Sequence, residues 1–384
     1  MPDPAVERAA ARSAAAGSAG APGQAAVASP AIAYWMFNYE PRWEAVSMEL
    51  EALAAAFRST YGTRTITLDT RRRSIAFAGA DRHLPAALGV AALPYLLRLA
   101  RGTSLNHIFA SPAERVLTPR LARLPNTVLT IAKGSRTLSS VHRNAATLRR
   151  LQCLVVESER HRELLLQLDV PAGRIRLIHP GIEPRPYREP TGPFTLLFAT
   201  SPKSPDYLLT RGVHLLLKTA ALLPDVRFRL VWRWNPGFVE RLVRDREVRN
   251  VEVLTGYRRD MAALYDEAHA VVLPALEPDS FKPCPHSALQ SLAHGKPLLV
   301  SRYVSMADAV ARHRCGVVFE PRIDAMRNAI RRLAARYDDY QANTAPTLAR
   351  EFSKAGFLDR YGQLYAALLA ERPATGSRDG GRPA

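Results

Sequence analysis

A chain of 384 residues, 47% of them hydrophobic and 23% charged, holds enough apolar material for two substantial globular cores, which excludes a fibrous or wholly disordered protein. Fifty-three Lys and Arg against 35 Asp and Glu give a formal charge of +18. That excess favours anionic partners such as phosphorylated ligands, an acidic membrane surface or nucleic acid, although solvated surface arginines in an Arg- and Ala-rich chain account for it equally well.

Residues 1–30 are rich in Ala, Gly, Pro and Ser without a continuous apolar stretch, so a disordered segment and no signal peptide are expected. The apolar run over 84–97 contains Pro85, Gly89 and Pro94 and falls short of the roughly 20 residues a membrane span needs. From residue 31 onward, short apolar runs alternate with amphipathic stretches, the pattern of a parallel α/β sheet. Strands are expected over 31–36, 63–68, 74–77, 106–110, 127–131, 154–156 and 174–178. The Pro- and charge-rich segment 181–193 reads as a linker between two pattern blocks. A second series follows, with strands over 195–199, 227–232, 251–254, 270–273, 298–301 and 316–319 and helices over 213–223, 237–246 and 261–267. Segment 351–371 places Phe357, Leu358, Tyr361, Leu364, Tyr365, Leu368 and Leu369 on one helical face, a surface that must pack on something. The expectation is α/β: two Rossmann-like, doubly wound domains over 31–185 and 186–350 facing a cleft, a helix over 351–372 packing back on the first domain, and a disordered tail over 373–384.

Cys153, Cys284 and Cys315 lie far apart. No Cys-x-x-Cys or Cys/His pattern exists, which argues against zinc or a disulfide scaffold and fits a reducing cytosol. The densest local signal is 274–297, PALEPDSFKPCPHSALQSLAHGKP. An apolar strand runs into a Pro-rich loop, a helix starts near Pro285, Gly295 stops it and Pro297 prevents its resumption. Leu289, Leu292 and Ala293 form its core face, while His286 and Gln290, four apart, share another. Free N–H groups and the dipole at such a helix start suit a phosphate.

Four stretches in order resemble the retaining GT-B glycosyltransferases of family four: LLQLDVPAGRIRLIHPGIEPRPY, FTLLFATSP with TRGVHLLLKTAALLPDVRFRLV, VEVLTGYRRDMAALYDEAHAVVLP, and PCPHSALQSLAHGKPLLVS. The resemblance implies two facing Rossmann-like domains and transfer of a sugar, with retention, from a nucleoside diphosphate sugar to a saccharide or lipid-linked acceptor. It implies no cofactor beyond that co-substrate and no metal. A departing diphosphate needs cations and N–H donors facing it. By the resemblance Arg211 takes the place of a lysine that contacts phosphate, and Lys203 stands in for an arginine. Pro283, Cys284, His286 and Ser287 open the signature helix, Gln290 would hold the ribose, and the turn Gly256, Tyr257, Arg258 the base. Two glutamates of the family are replaced: Gln290 stands for the second, and Lys282, eight positions earlier, for the first, beside the transferred sugar. Lys282 is therefore placed with Arg211 and Lys203 as catalytic. The replacement also motivates an alternative, a catalytically silent GT-B subunit that binds a partner transferase or polysaccharide.

On the acceptor side the candidates are Arg42, Trp43, Glu44, His107, Lys133 and Ser158. Their competing structural readings are a helix-start acid for Glu44, a satisfied core histidine for His107 and a helix cap for Ser158. Basic stretches 64–74 and 136–150 could rest on an anionic membrane. The expected location is cytoplasmic, peripheral at the inner face of a bacterial membrane. No recognised nucleic-acid module is present, so nucleic acid is not expected as a partner.

Overall fold

Two separate sheets form where the two pattern blocks were read. The computed structural model describes residues 31–371 except 43, 89–90, 133–137, 201–205 and 259. In the first half the strands are β1 (Ile32–Phe37), β2 (Thr63–Asp69), β3 (Ala76–Ala78), β4 (Asp81–Pro85), β5 (Leu105–Ala110), β6 (Thr127–Ile131), β7 (Cys153–Val156) and β8 (Ile175–Leu177). They lie in the order β3-β4-β2-β1-β5-β6-β7-β8. All pairings are parallel except β3 with β4. The second sheet is β11-β10-β9-β12-β13-β14, from β9 (Thr195–Phe198), β10 (Arg227–Trp232), β11 (Val251–Thr255), β12 (Ala270–Leu273), β13 (Leu298–Ser301) and β14 (Gly316–Phe319), and every pairing in it is parallel. Central strands such as IAYWMF, TVLTI and AVVL are buried along nearly their whole length. Continuous apolar runs, rather than alternating ones, follow from helices covering both faces of a parallel sheet.

The order reverses between β1 and β5 in the first sheet and between β9 and β12 in the second. Such switch points open a crevice at the carboxyl ends of the strands. Helices that bear on the site are α1 (Ala45–Ala56), α2 (Leu93–Arg101), α3 (Glu159–Gln167), α4 (Val213–Ala221), α5 (Pro236–Arg244), α6 (Met261–Glu267), α7 (His286–Ala293), α8 (Ala307–His313), α9 (Ile323–Ala335) and α10 (Lys354–Ala370).

Two elements differ from the reading of the sequence. The strand expected over 74–77 is the short β3, hairpin-paired to β4, whose DRH opening hid it. Helix α2 overlaps the end of the 84–97 run, where no helix was read; Pro94 falls in its first turn, where its missing N–H costs nothing.

The last helix returns to the first sheet. Ser353 caps α10, its Oγ accepting from Gly356 N at 3.2 Å. Phe357, Tyr361, Leu364, Tyr365 and Leu368 then share one core with Ile32, Tyr34, Leu50 and Leu53. The chain thus passes between the halves twice, at one place. Ile182 N donates to Phe352 O at 2.9 Å, and Lys354 N to Ile182 O at 3.2 Å. Gly181 permits that approach, since a Cβ there would lie 2.6 Å from Lys354 Cα.

All three cysteines are free and buried. Burial pushes the Cys153 thiol up to about 12 and the Cys315 thiol to about 11.

Candidate functional site

Helix α7 follows Pro285, which is extended at φ −61°, ψ 130°. Its apolar residues Leu289, Leu292 and Ala293 are buried, as their spacing requires, and Gly295 ends it at φ +69°. His286, Ser287 and Gln290 on the opposite side line a pocket of 410 Å³. Thr200 after β9, Arg233 after β10, and Tyr257, Arg258 and Asp260 after β11 supply the rest of the second half's contribution. Asp260 also caps α6, accepting from Ala263 N at 3.1 Å. Arg42 and Met48 reach the pocket from the first half, and Arg185 from the linker. The pocket therefore spans both halves at the carboxyl ends of β9, β10 and β11.

Four arginines line it against one aspartate, so it suits an anion carrying more than one charge. His286 adds no charge near neutrality, because burial and the neighbouring Lys282 hold it down to about 4. Burial lowers the Arg233 guanidinium as well, and burial raises the Tyr265 hydroxyl. Gln290 offers a neutral donor and acceptor beside His286.

Among the residues singled out in the sequence, His286, Ser287, Gln290, Tyr257 and Arg258 meet in this pocket, with Gly256 directly before them at φ +81°. Others are engaged elsewhere. Arg211 does not line the pocket: its Nε donates to Ser280 O at 2.9 Å, and its guanidinium also bonds Thr200 Oγ1 and lies over the Phe281 ring. It braces the loop ahead of α7 against Thr200. Pro283 is buried outside the lining, and Cys284 points to the other side, its Sγ donating to Glu157 O at 3.3 Å. Lys203, Trp43 and Lys133 lie outside the described residues.

Three acceptor-side candidates take the structural reading. Glu44 caps α1 through Ser47 N at 2.9 Å. Ser158 caps α3 and contacts His161 Nδ1 at 2.8 Å. His107 is wholly buried, its Nδ1 2.7 Å from Tyr365 Oη and its Nε2 2.7 Å from Thr130 Oγ1.

Lys282 lies where the two halves touch. Its Nζ donates to Glu49 Oε1 at 2.6 Å and stands 3.8 Å from Glu157 Oε2. Side-chain exposures are 16% for Lys282, 8% for Glu49 and 2% for Glu157. Burial works against the ammonium, but the two carboxylates outweigh it and hold Lys282 protonated. Burial raises both acids against the pull of Lys282, Glu157 to about 8. Neither glutamate was singled out from the sequence. Glu49 could have been, since it falls on the face of α1 that carries Val46, Leu50 and Leu53. Glu157 directly follows the all-apolar β7, at the strand end facing the crevice.

A second pocket, of 530 Å³, opens beyond this cluster between α3 and the loop after β13, with Glu157 and Cys284 in its wall. Among the described residues no group of three or more His, Cys, Asp or Glu is arranged to hold a metal ion, and no helix is long and apolar enough to cross a membrane.

Residues 197–336 match the family described as Glycosyl transferases group 1. Comparison with curated proteins finds no match. Solved structures share the architecture over nearly the whole chain. Sucrose-phosphate synthase from Thermosynechococcus elongatus is 18% identical, with a TM-score of 0.70 over 89% of this chain and 100% of that one. A glycosyltransferase from Rickettsia africae is 13% identical, with a TM-score of 0.68 over 89% and 100%. HepE of Anabaena, solved with UDP and glucose, is 13% identical, with a TM-score of 0.68 over 88% and 100%. At these identities the structures speak for the fold. The family match covers the second sheet, and the chain as a whole has the two-domain GT-B fold of these structures.

Proposed function

We propose that the protein transfers a sugar, with retention, from a nucleoside diphosphate sugar to a saccharide or lipid-linked acceptor. The observation that carries this reading is the 410 Å³ pocket at the start of α7, cationic and shared by both halves. A diphosphate placed at Ser287 meets the unpaired N–H groups and positive dipole end of α7, with Arg42, Arg185, Arg233 and Arg258 around it. Negative charge grows on that diphosphate as its bond to the anomeric carbon breaks, so donors fixed before the reaction stabilise the transition state more than the ground state. Gln290 accepts from the ribose and Tyr257 covers the base. Arg211 serves indirectly, by fixing Thr200 and the loop that leads into α7. The HepE structure contains UDP and glucose, which supports a donor of the same class here. The basic excess fits an anionic donor and, for a lipid-linked acceptor, contact with an anionic membrane.

Binding of UDP, GDP and ADP, each free and as its glucose conjugate, tests the reading by calorimetry and thermal shift. One nucleotide series should raise the melting temperature, since ligand at a hundredfold excess over Kd stabilises by about 2.7 kcal/mol. Arg258→Ala and Arg233→Ala should each weaken that series about tenfold or more. Absence of binding by any of the six compounds would overturn the assignment.

A further inference from the structure

The outer edge of the first sheet carries an apolar groove that no part of the described chain covers. It measures 310 Å³, runs between the β3–β4 hairpin and the start of α2, and is lined by apolar and aromatic side chains, among them Ile75, Phe77, Leu84, Leu88, Ala92 and Tyr95. Phe77 is 65% exposed and Ile75 46%, with Leu88 and Tyr95 open beside them. Large apolar side chains gathered in one exposed patch mark a docking surface, whereas single ones need no explanation. Arg82 fixes the shape of the groove. Its Nε donates to Tyr95 Oη at 3.2 Å, and its guanidinium lies 5.0 Å from the centre of the Phe77 ring, which ties hairpin to helix.

The charge left over around the groove is positive. Most of the basic stretch 64–74 is the strand β2, and its exposed end places Arg72 and Arg73 just ahead of Ile75. Arg98, one turn beyond Tyr95 on α2, is exposed, as is Arg101 after it. The neighbouring acids are already engaged: Asp69 and Glu40 pair with Arg71, while Asp81 accepts from Thr65 N at 2.6 Å and pairs with Arg58 at 3.5 Å. Apolar and aromatic groups fringed by guanidinium match the interface of an anionic bilayer, where the first enter the acyl boundary and the second meet lipid phosphates. The position of the groove suits that partner. β4 runs parallel to β2 with Pro85 level with Asp69, so the segment after β4 that carries Leu88 stands at the carboxyl edge of the sheet, where the crevice opens. The turn after β2 is bound to the loop after β1, Asn38 Oδ1 accepting from Thr70 N at 3.0 Å, and that loop leads to Arg42 in the α7 pocket.

We propose that this groove docks on an anionic bilayer: Ile75, Phe77, Leu88 and Tyr95 enter the lipid interface, Arg72, Arg73, Arg98 and Arg101 bind lipid phosphates, and the mouth of the crevice is held at the membrane. Docking stands on this surface alone, and the delivery of a lipid-linked acceptor to the crevice rests on the glycosyl-transfer reading.

The test is flotation of the full-length protein with vesicles of mixed phosphatidylglycerol and phosphatidylcholine, against vesicles of phosphatidylcholine alone. The protein should bind the anionic vesicles. Ile75→Ser/Phe77→Ser should weaken that binding about tenfold or more at an unchanged melting temperature, since both side chains are exposed. Arg72→Ala/Arg73→Ala should weaken it by about tenfold or more as well. The same loss of two charges in Arg174→Ala/Arg176→Ala, exposed at β8 on the opposite edge of the sheet, should leave it within about twofold, screened by salt over that distance. In Phe77→Trp the emission should move to the blue on anionic vesicles, a reading that remains if the serine pair fails to fold. No binding by the wild-type protein, binding untouched by Ile75→Ser/Phe77→Ser, or equal losses in the two arginine pairs would overturn the proposal. A dimer in sedimentation that the serine pair dissolves, without vesicle binding, would overturn it too and give the groove to a second copy of the chain. Nucleotide binding should stay at its wild-type value in all these variants, so the donor reading and the docking surface fail separately.

Discussion

Lys296 illustrates how one residue behind the site holds the linker in place. It is a fully buried lysine placed just after the turn that ends α7. Its Nζ donates to Asp266 O at 2.9 Å and to Arg188 O, and it lies 4.8 Å from the Tyr187 ring centre. A buried ammonium is tolerated only when its donors are met, and here two carbonyls and an aromatic face meet them. Replacement by Met keeps the stem and strands both carbonyls, so Lys296→Met should lower the free energy of unfolding by about 1–3 kcal/mol in urea titration. Arg185, on the same linker, lines the α7 pocket, and on the proposed function the variant should weaken nucleotide binding as well. From sequence, Lys296 was no more than one more charge in a Gly-Lys-Pro turn. Lys282 shows the same limit. Its position in the loop was legible, but its partner Glu49 stands 233 positions away, and only the packing of one half on the other brings them together.

At the scale of elements, α7 was readable from its boundaries because its information is local: a proline at the start, a glycine at the end and an apolar stripe between. The second sheet's strands were legible for a similar reason, each being a short apolar run between turn residues. The β3–β4 hairpin and α2 were not, since short polar strands and an early proline carry weak local signals. Helix α10 had a visible apolar face and was expected to pack on the first domain; which side chains it meets there became clear only in three dimensions. There His107 ties it to the first sheet through Tyr365, and Thr130, bonded to His107, reaches Tyr361 at 2.8 Å. Burial depresses His107 to about 3. The unfolded chain takes up a proton on this residue below about 6.5 while the folded one does not. Stability from this group is therefore intact above pH 6.5 and declines as pH falls toward 3, by about 1.4 kcal/mol per pH unit for one proton. Urea titrations between pH 7 and 4 should show that slope, and His107→Gln should flatten it. An identical slope in the variant would remove His107 as its source.

For the whole molecule, the two crossings of the chain run side by side, Ile182 bridged to Ser353, so any movement of one half against the other would turn about that line. The fold itself was visible in the sequence as two pattern blocks and a linker. What could not be seen was how much of the crevice each half lends, because Arg42, Glu49 and Glu157 gain meaning only opposite Arg233, Lys282 and Cys284. The three unpaired thiols turn this arrangement into a set of built-in clocks. Cys153 sits in the first sheet, Cys315 at the edge of the second, and Cys284 is held shut against Glu157 across the crevice. Each is unreactive while covered, since burial keeps the thiolate scarce. A swing of the halves would uncover Cys284 first, whereas Cys153 and Cys315 would wait for their own sheets to come apart. Timed alkylation read by peptide mass should therefore label Cys284 first. A bound nucleotide that draws the halves together should slow that one clock and leave the other two running at their former rates. Equal rates at all three would mean that the halves part only when the protein unfolds.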